Sequence, residues 1–463
     1  MAENVKKKQT VKSKKREKKP RLKYHNNKTW FKFLMPQKEY GAYLEKVRVG
    51  EIDIPFLILI LVLLVFGLIM MYSASYAWAI SDGLSQDYYF KRQLMMAAIG
   101  LAIMIYVASP LFDYHIIKNP VITFGLFILC VILMGIVHIP GIGKSEADAS
   151  RWINVGTLFS FQPSEVMKLG LIVLFAHMLS SNYNKKDTFK FGIAPYILLI
   201  MVAAGLTIAQ RHLSGTVIIC IIGLAMMFIG GVNLKHFIPT CIAGVAALAM
   251  LVLGLYAAGK FDYIMDRIHG WLYTFDDKYR DIAWQTRNSL IAIGSGGVFG
   301  LGLGNSRQKF LYLPESKNDF VFSIVCEELG FVGASVVIIL FLMLIFRGFA
   351  IAENAPDKYG MLLAAGLVIQ IGVQALLNIA VVTNTIPNTG ISLPFFSYGG
   401  SALIMQLAQM GIVLNISRQS IPRKGKADAD MPPDKESREI QEAKDTLGAG
   451  NVIKITRKNK NTK

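Results

Sequence analysis

Ten nearly uninterrupted apolar stretches recur along the chain, at about 54–72, 93–109, 120–140, 163–180, 192–209, 215–232, 238–258, 320–346, 360–383 and 393–416. As α-helices rising about 1.5 Å per residue, each would cross or nearly cross a hydrocarbon layer ~30 Å thick. The pattern predicts an all-α polytopic membrane protein of ten transmembrane helices, because an ordinary soluble domain does not repeat apolar runs of this length. The longest polar interruption, 259–319, separates the seventh and eighth runs. The first run follows a basic arm of about 50 residues with no clean small-residue cleavage site behind it, so it does not read as a cleavable signal peptide.

The chain carries 49 Lys/Arg against 31 Asp/Glu, a formal charge of +18, and most of that excess lies on two tails, 1–50 and 418–463. Charge on tails and not on a folded face argues against a nucleic-acid-binding domain. Both tails read as disordered and cytoplasmic, leaving 51–417 as the membrane domain. The arm between Lys6 and Lys23 suits either attraction to anionic lipid or the docking of a cytoplasmic partner. Orientation follows from Lys185, Lys186, Lys190, Lys235, Arg347 and Lys358 in the short loops after even-numbered runs, on the same side as both tails. The loops at about 73–92, 141–162, 210–214, 259–319 and 384–392 then face outward. Cys130, Cys220, Cys241 and Cys326 all fall in predicted helices without a CxxC or Cys/His cluster, which disfavours a disulfide framework or structural zinc.

Polar groups inside a bilayer cost roughly 2.5–3.5 kcal/mol each on insertion scales, so each needs a reason. Glu165 and Lys168 are three apart and share one helix face, as a self-neutralising pair or a polar cavity wall. Pro163 suits the first turn of that helix. Arg211 and His212 open the sixth run, either snorkelling to the interface or meeting phosphate. At least one of Glu327 and Glu328, in the eighth run, is expected to be structural. The long loop holds Asp262, Asp266, Asp276, Asp277 and Asp281, then Gly294, Gly296, Gly297, Gly300, Gly302 and Gly304. These glycines lack the Lys-Ser/Thr ending of a nucleotide-binding P-loop, and instead suit backbone turning back at the membrane surface against protein.

The spelling from Gly294 to Gly330 is specific: Gly302-Leu303-Gly304-Asn305-Ser306-Arg307-Gln308-Lys309, Tyr312-Leu313-Pro314-Glu315, Asn318-Asp319-Phe320 and Glu327-Glu328-Leu329-Gly330. Tyr72-Ser73-Ala74-Ser75, Arg151-Trp152-Ile153-Asn154, Gln162-Pro163-Ser164-Glu165 and Leu393-Pro394-Phe395-Phe396-Ser397-Tyr398-Gly399-Gly400-Ser401 agree with it. Over about 55–417 the chain resembles the SEDS family of cell-wall polymerases, which includes FtsW, RodA and SpoVE, and its spelling is more similar to the FtsW division branch than to the RodA branch.

The resemblance implies a peptidoglycan glycosyltransferase that polymerises lipid II on the outer face of the bacterial plasma membrane, in septal wall synthesis. It implies a class B penicillin-binding protein as partner, with other divisome proteins. It also implies an essential Asp in the long loop. Ten residues after Arg267, which matches the family Arg, stands Asp277; counting back from Gln285, which matches the family Gln, lands on Lys278, so one residue is missing between them. Asp277 is the chosen position, ahead of Asp276 and Asp281. The sequence departs from the family at Lys278-Tyr279-Arg280-Asp281-Ile282-Ala283-Trp284, which replaces Pro and Gly, and at Gln210-Arg211-His212-Leu213, where many relatives have Gln-Pro-Asp-Leu.

Forming a β-1,4 bond needs a base for the attacking 4-hydroxyl, the role given to Asp277. The departing lipid diphosphate needs cations, from Arg or Lys side chains or from a divalent metal such as Mg or Mn. Arg151, Glu165, Lys168, Arg211, Gln285, Asp319 and Ser397 are the expected substrate-binding residues. Single displacement inverts the anomeric carbon and requires no enzyme nucleophile. A lipid II flippase and a non-catalytic division scaffold are the alternative readings, the first needing charge distributed through the depth of the bundle.

Overall fold

The computed structural model describes residues 50–139, 143–146, 149–155, 159–183, 187–257 and 262–420. The basic arm, the C-terminal tail from 421 onward, and Lys185 and Lys186 lie outside the described residues. Each of the ten apolar runs contains a helix, the last beginning at Gly400 and not at 393: α1 (Ile54–Ser81), α2 (Tyr88–Ala108), α3 (Pro120–Ile136), α4 (Pro163–Ser181), α5 (Ala194–Ala209), α6 (Leu213–Ile229) and α7 (Leu234–Ala257), then α10 (Val321–Glu353), α11 (Lys358–Val382) and α12 (Gly400–Gln419). α8 and α9 lie within the long loop. Among the described residues seven helices are long and apolar enough to cross a membrane, and shorter apolar helices accompany them. This is a multi-pass membrane protein.

Helix starts follow local chemistry. Asp53 accepts from Phe56 N at 2.9 Å to cap α1, Asn119 accepts from Val121 N to cap α3, and Asp357 accepts from Gly360 N to cap α11. Each oxygen satisfies an amide that the first turn leaves without a partner. Pro163 begins α4, as its missing N–H predicts. α4 is buried along most of its length, between α3, α6 and α11, while α12 packs along α2 and α10 packs along α1 and α11. The four cysteines are free.

The connections expected on one side do share one end of the bundle. The segment after α3 forms a three-stranded antiparallel sheet, β1 (Gly143–Glu146), β2 (Ala149–Val155) and β3 (Phe159–Phe161), ordered β1-β2-β3. The long loop contains α8 (Asp262–Leu272), a 3-10 turn (Asp277–Tyr279) and α9 (Arg280–Gly296). α9 buries Ala283, Thr286, Ser289, Ala292 and Gly296, a stripe of small residues that lets it lie close to α10. Ser289 fastens the contact, within 2.8 Å of Ser323 Oγ and donating to Val382 O at 2.7 Å.

The glycine series after α9 folds back on a break in α10. Gly330 adopts φ 64°, ψ −163°, a conformation open in practice only to glycine. The break frees carbonyls of α10, and the loop uses them: Leu301 N donates to Glu327 O and Gly302 N to Glu328 O, both at 3.0 Å. Phe331 N and Val332 N donate in return to Gly297 O and Val298 O. Both glutamates prove structural. Glu327 accepts from Ser306 Oγ at 2.5 Å and Arg307 N at 2.9 Å, and Glu328 accepts from Ser73 Oγ at 2.6 Å and pairs with Lys309 Nζ at 3.0 Å.

Candidate active site

At the loop end of the bundle, Arg151, Arg211, Arg267, Gln285, Glu315, Asp319 and Asn388 line a cavity of about 120 Å³, with Leu213, Phe320, Thr389 and Gly390 completing its wall. These side chains come from β2, the α5–α6 connection, α8, α9, the approach to α10 and the segment after α11. Four of the expected residues, Arg151, Arg211, Gln285 and Asp319, therefore meet across more than 160 positions of sequence.

Backbone and amide contacts fix the wall. Arg267 donates through Nη1 to Asn388 O, and Asn388 Nδ2 donates to Gln285 Oε1 at 2.8 Å. Trp271 Nε1 donates to Asn384 O at 2.9 Å, and Asn384 Nδ2 returns a bond to Trp271 O at 3.1 Å, tying α8 to the segment after α11. Arg151 Nη2 donates to Arg211 O at 2.5 Å. Arg211 has φ 53°, which costs a non-glycine residue of order 1 kcal/mol and is a feature that concentrates at functional sites. Asn378 donates to Asp319 O at 2.7 Å and to Ile391 O, holding the floor.

The electrostatics are uneven. Asp319 touches the cavity and is otherwise enclosed by protein; burial, then repulsion from Glu315, pushes its carboxyl up to about 7 against the pull of Arg151. His212, enclosed behind the arginines, is driven down to about 3 by burial and then by Arg151 and Lys168, so it is neutral at pH 7. Among the described residues no group of three or more His, Cys, Asp or Glu side chains converges as metal ligands would. The cations that the cavity itself offers are guanidinium groups, whose planar forks match phosphate oxygens.

The other expected residues lie apart. Glu165 and Lys168 pair at 2.9 Å, almost wholly buried, and Lys168 also donates to Gln374 Oε1 at 3.1 Å. Ser397 donates to Asn318 O at 2.5 Å and accepts from Leu393 N at 2.7 Å, so it orders the backbone leading to Asp319. Asp277 is 85 % exposed, 3.3 Å from Arg287 Nη1, on the turn between α8 and α9 and not in the cavity. Asp276 caps that turn by accepting from Lys278 N. Sequence reasoning missed Glu315, Asn388 and Gly390 as wall residues and used Arg267 only as a spacing mark.

The fold and cavity define a polytopic membrane protein with a polar, arginine-lined site at one end of the bundle. Residues 54–421 match the cell cycle protein family of FtsW, RodA and SpoVE. The chain belongs to this family, the SEDS proteins. It is 40% identical over 373 residues to the stage V sporulation protein E of Bacillus subtilis, covering 80% of this chain and 97% of that one. It is 36% identical to the probable peptidoglycan glycosyltransferase FtsW of Geobacter sulfurreducens, over 80% and 96% of the two chains. Among solved structures, one from a peptidoglycan synthase complex that coordinates polymerization and crosslinking aligns at TM-score 0.64 with 25% identity, over 79% of this chain and 98% of that one. The rod shape determining protein RodA of Thermus thermophilus aligns at 0.58, also at 25%, over 80% and 98%.

Proposed function

We propose that this protein is a peptidoglycan glycosyltransferase that polymerises lipid II at the outer face of the bacterial plasma membrane, with both termini cytoplasmic. The observation that carries the reading is the convergence of Arg151, Arg211 and Arg267 on one cavity in a chain 36% identical to a probable glycosyltransferase. Three guanidinium groups at one site suit the diphosphate of a lipid-linked sugar, whose negative charge grows as the glycosidic bond breaks. Asp277 is the base. It stands exposed on the turn joining the helices that bring Arg267 and Gln285 to the cavity. It takes the proton of the 4-hydroxyl as that oxygen attacks the anomeric carbon from the side opposite the diphosphate, so configuration inverts.

A class B penicillin-binding protein is the partner, consistent with the resemblance to a chain of a peptidoglycan synthase complex. The site of action in this reading is the septum, as the similarity of the motif spelling to the FtsW branch implies. The test is polymerisation of purified lipid II by detergent-solubilised protein with its penicillin-binding partner. Wild type and Asp276→Asn make glycan; Asp277→Asn, still folded and partner-bound, loses 10²- to 10⁴-fold in rate, the usual worth of a general base. Normal polymerisation by Asp277→Asn removes the base assignment. Absence of glycan from wild type, with lipid II translocated in proteoliposomes, replaces the polymerase with the flippase.

A further inference from the structure

We propose that Asp319 is a second catalytic carboxyl, a neutral acid that donates a hydrogen bond to the bound diphosphate and protonates it as it departs. The inference rests on the reading of the arginine-lined cavity as the diphosphate site. It assigns to Asp319 a role opposite to that of Asp277.

The geometry separates the two carboxyls. Asp277 is open to solvent on a surface turn, whereas Asp319 sits on the cavity floor with its backbone pinned by Asn378. Gly390, at φ 68°, packs so closely on the Asp319 carboxyl that an added Cβ would lie 3.0 Å from Oδ2. Any side chain at 390 would press on that oxygen, so glycine lets the carboxyl keep its place in the cavity lining. The groups facing Asp319 are Arg151 from β2, Arg211 from the α5–α6 connection, Arg267 from α8, Gln285 from α9, Glu315 from its own loop and Asn388 after α11. Neutral His212 and the Glu165–Lys168 pair stand behind them.

Charge balance favours the acid form. With Asp319 ionised, three guanidinium groups face two carboxylates and the cavity carries +1; with Asp319 neutral it carries +2, the better complement to a lipid diphosphate. The apo carboxyl is already raised to about 7 by burial and by Glu315, and a bound anion raises it further by like-charge repulsion. A carboxyl raised by burial can serve as an acid while a separate, exposed carboxylate serves as base. In the step, the acceptor O4–H proton passes to Asp277 and O4 bonds to the anomeric carbon. The bond from that carbon to the phosphate oxygen breaks with its electron pair on the diphosphate, and the Asp319 proton passes to the diphosphate. Asp277 ends protonated and Asp319 ionised, and exchange with water resets both.

The experiment titrates farnesyl diphosphate, a short lipid diphosphate, into the full-length detergent-purified protein at pH 6.5, 7.5 and 8.5. Calorimetry in two buffers of different ionisation enthalpy counts the protons taken up. Wild type, Asp319→Asn and Arg267→Gln are compared, so that titration of the ligand itself is common to all. The expected result is that the ratio of wild-type to Asp319→Asn Kd rises at least tenfold from pH 6.5 to 8.5, and that wild type takes up more protons at pH 7.5. With lipid II as substrate, wild type is expected to lose rate above pH 7 and Asp319→Asn is not, a change that a purely structural residue would not produce. Equal pH dependence and proton uptake in the two proteins overturn the inference while leaving the cavity reading intact. Absence of wild-type binding, or binding by Arg267→Gln as tight as wild type, overturns the cavity reading and the inference with it.

Discussion

Lys309 is the most informative single position for stability. Its ammonium group is buried and makes three contacts: Glu328 Oε1 at 3.0 Å, Ser73 Oγ at 3.1 Å and Gly304 O at 2.5 Å. Glu328 is wholly inaccessible and keeps only Ser73 Oγ and the longer Ser306 N contact at 3.3 Å once Lys309 is gone. Lys309→Met preserves the apolar stem and removes the charge, leaving a buried carboxylate without its cation. Breaking a buried pair this way costs about 3–5 kcal/mol, mostly the penalty on the orphaned partner. For a chain of this size that corresponds to a fall in Tm of roughly 5 °C. Adding Glu328→Gln removes the orphan, so the double variant recovers to within about 1–2 kcal/mol of wild type, because the two changes share one interaction. The assay is thermal unfolding in detergent followed by size-exclusion fluorescence. A Lys309→Met protein as stable as wild type, or a double variant worse than the single by the full cost of a second loss, would refute the reasoning.

Gly330→Ala places a Cβ against Val298 O and Gly300 N in a conformation open only to glycine, and lowers stability by more than about 2 kcal/mol in the same assay. Arg211→Ala raises the KM for lipid II about tenfold with a smaller change in kcat, whereas Arg267→Ala lowers kcat/KM by 10²-fold or more, since Arg267 also positions Asn388. His115 is pulled down by burial but pushed up more strongly by Asp113 and Asp357, so its net shift is upward. That clasp, which joins the turn Tyr114–Lys118 to the start of α11, is fully present below pH 6.5 and is lost as pH rises through the folded value. The Tm difference between wild type and His115→Gln therefore shrinks as pH is raised from 6 to 9.

The ten helices were legible because membrane-crossing runs are long and the bilayer tolerates no mixed pattern within them. The sheet at 143–161 was not, since Gly143–Glu146 reads as a loop and Arg151 to Val155 is too short an alternation to separate from noise. Helix α9 escaped notice for the opposite reason: its stripe is built from Ala, Thr, Ser and Gly, whose burial depends on a neighbour that local sequence does not reveal. Arg151, Arg211, Gln285 and Asp319 were found through motif spelling. Asn388 and Gly390 were missed although Pro387-Asn388-Thr389-Gly390 is a turn signal, because their roles lie in a backbone carbonyl and an absent side chain. Ser397 shows the converse, a motif residue whose work is to order the chain.

The backbone pairing between residues 297–302 and 327–332 has a mechanical consequence. It welds the end of α9 to α10, while Trp271 and Asn384 weld α8 to the far end of α11. Ser289 adds bonds to Ser323 of α10 and to Val382 O of α11, and those two helices pack along each other, so both arms of the turn at 273–279 are anchored to one helix pair. Asp277 therefore projects from a short turn clamped at both ends, where Tyr273 stacks on Tyr279.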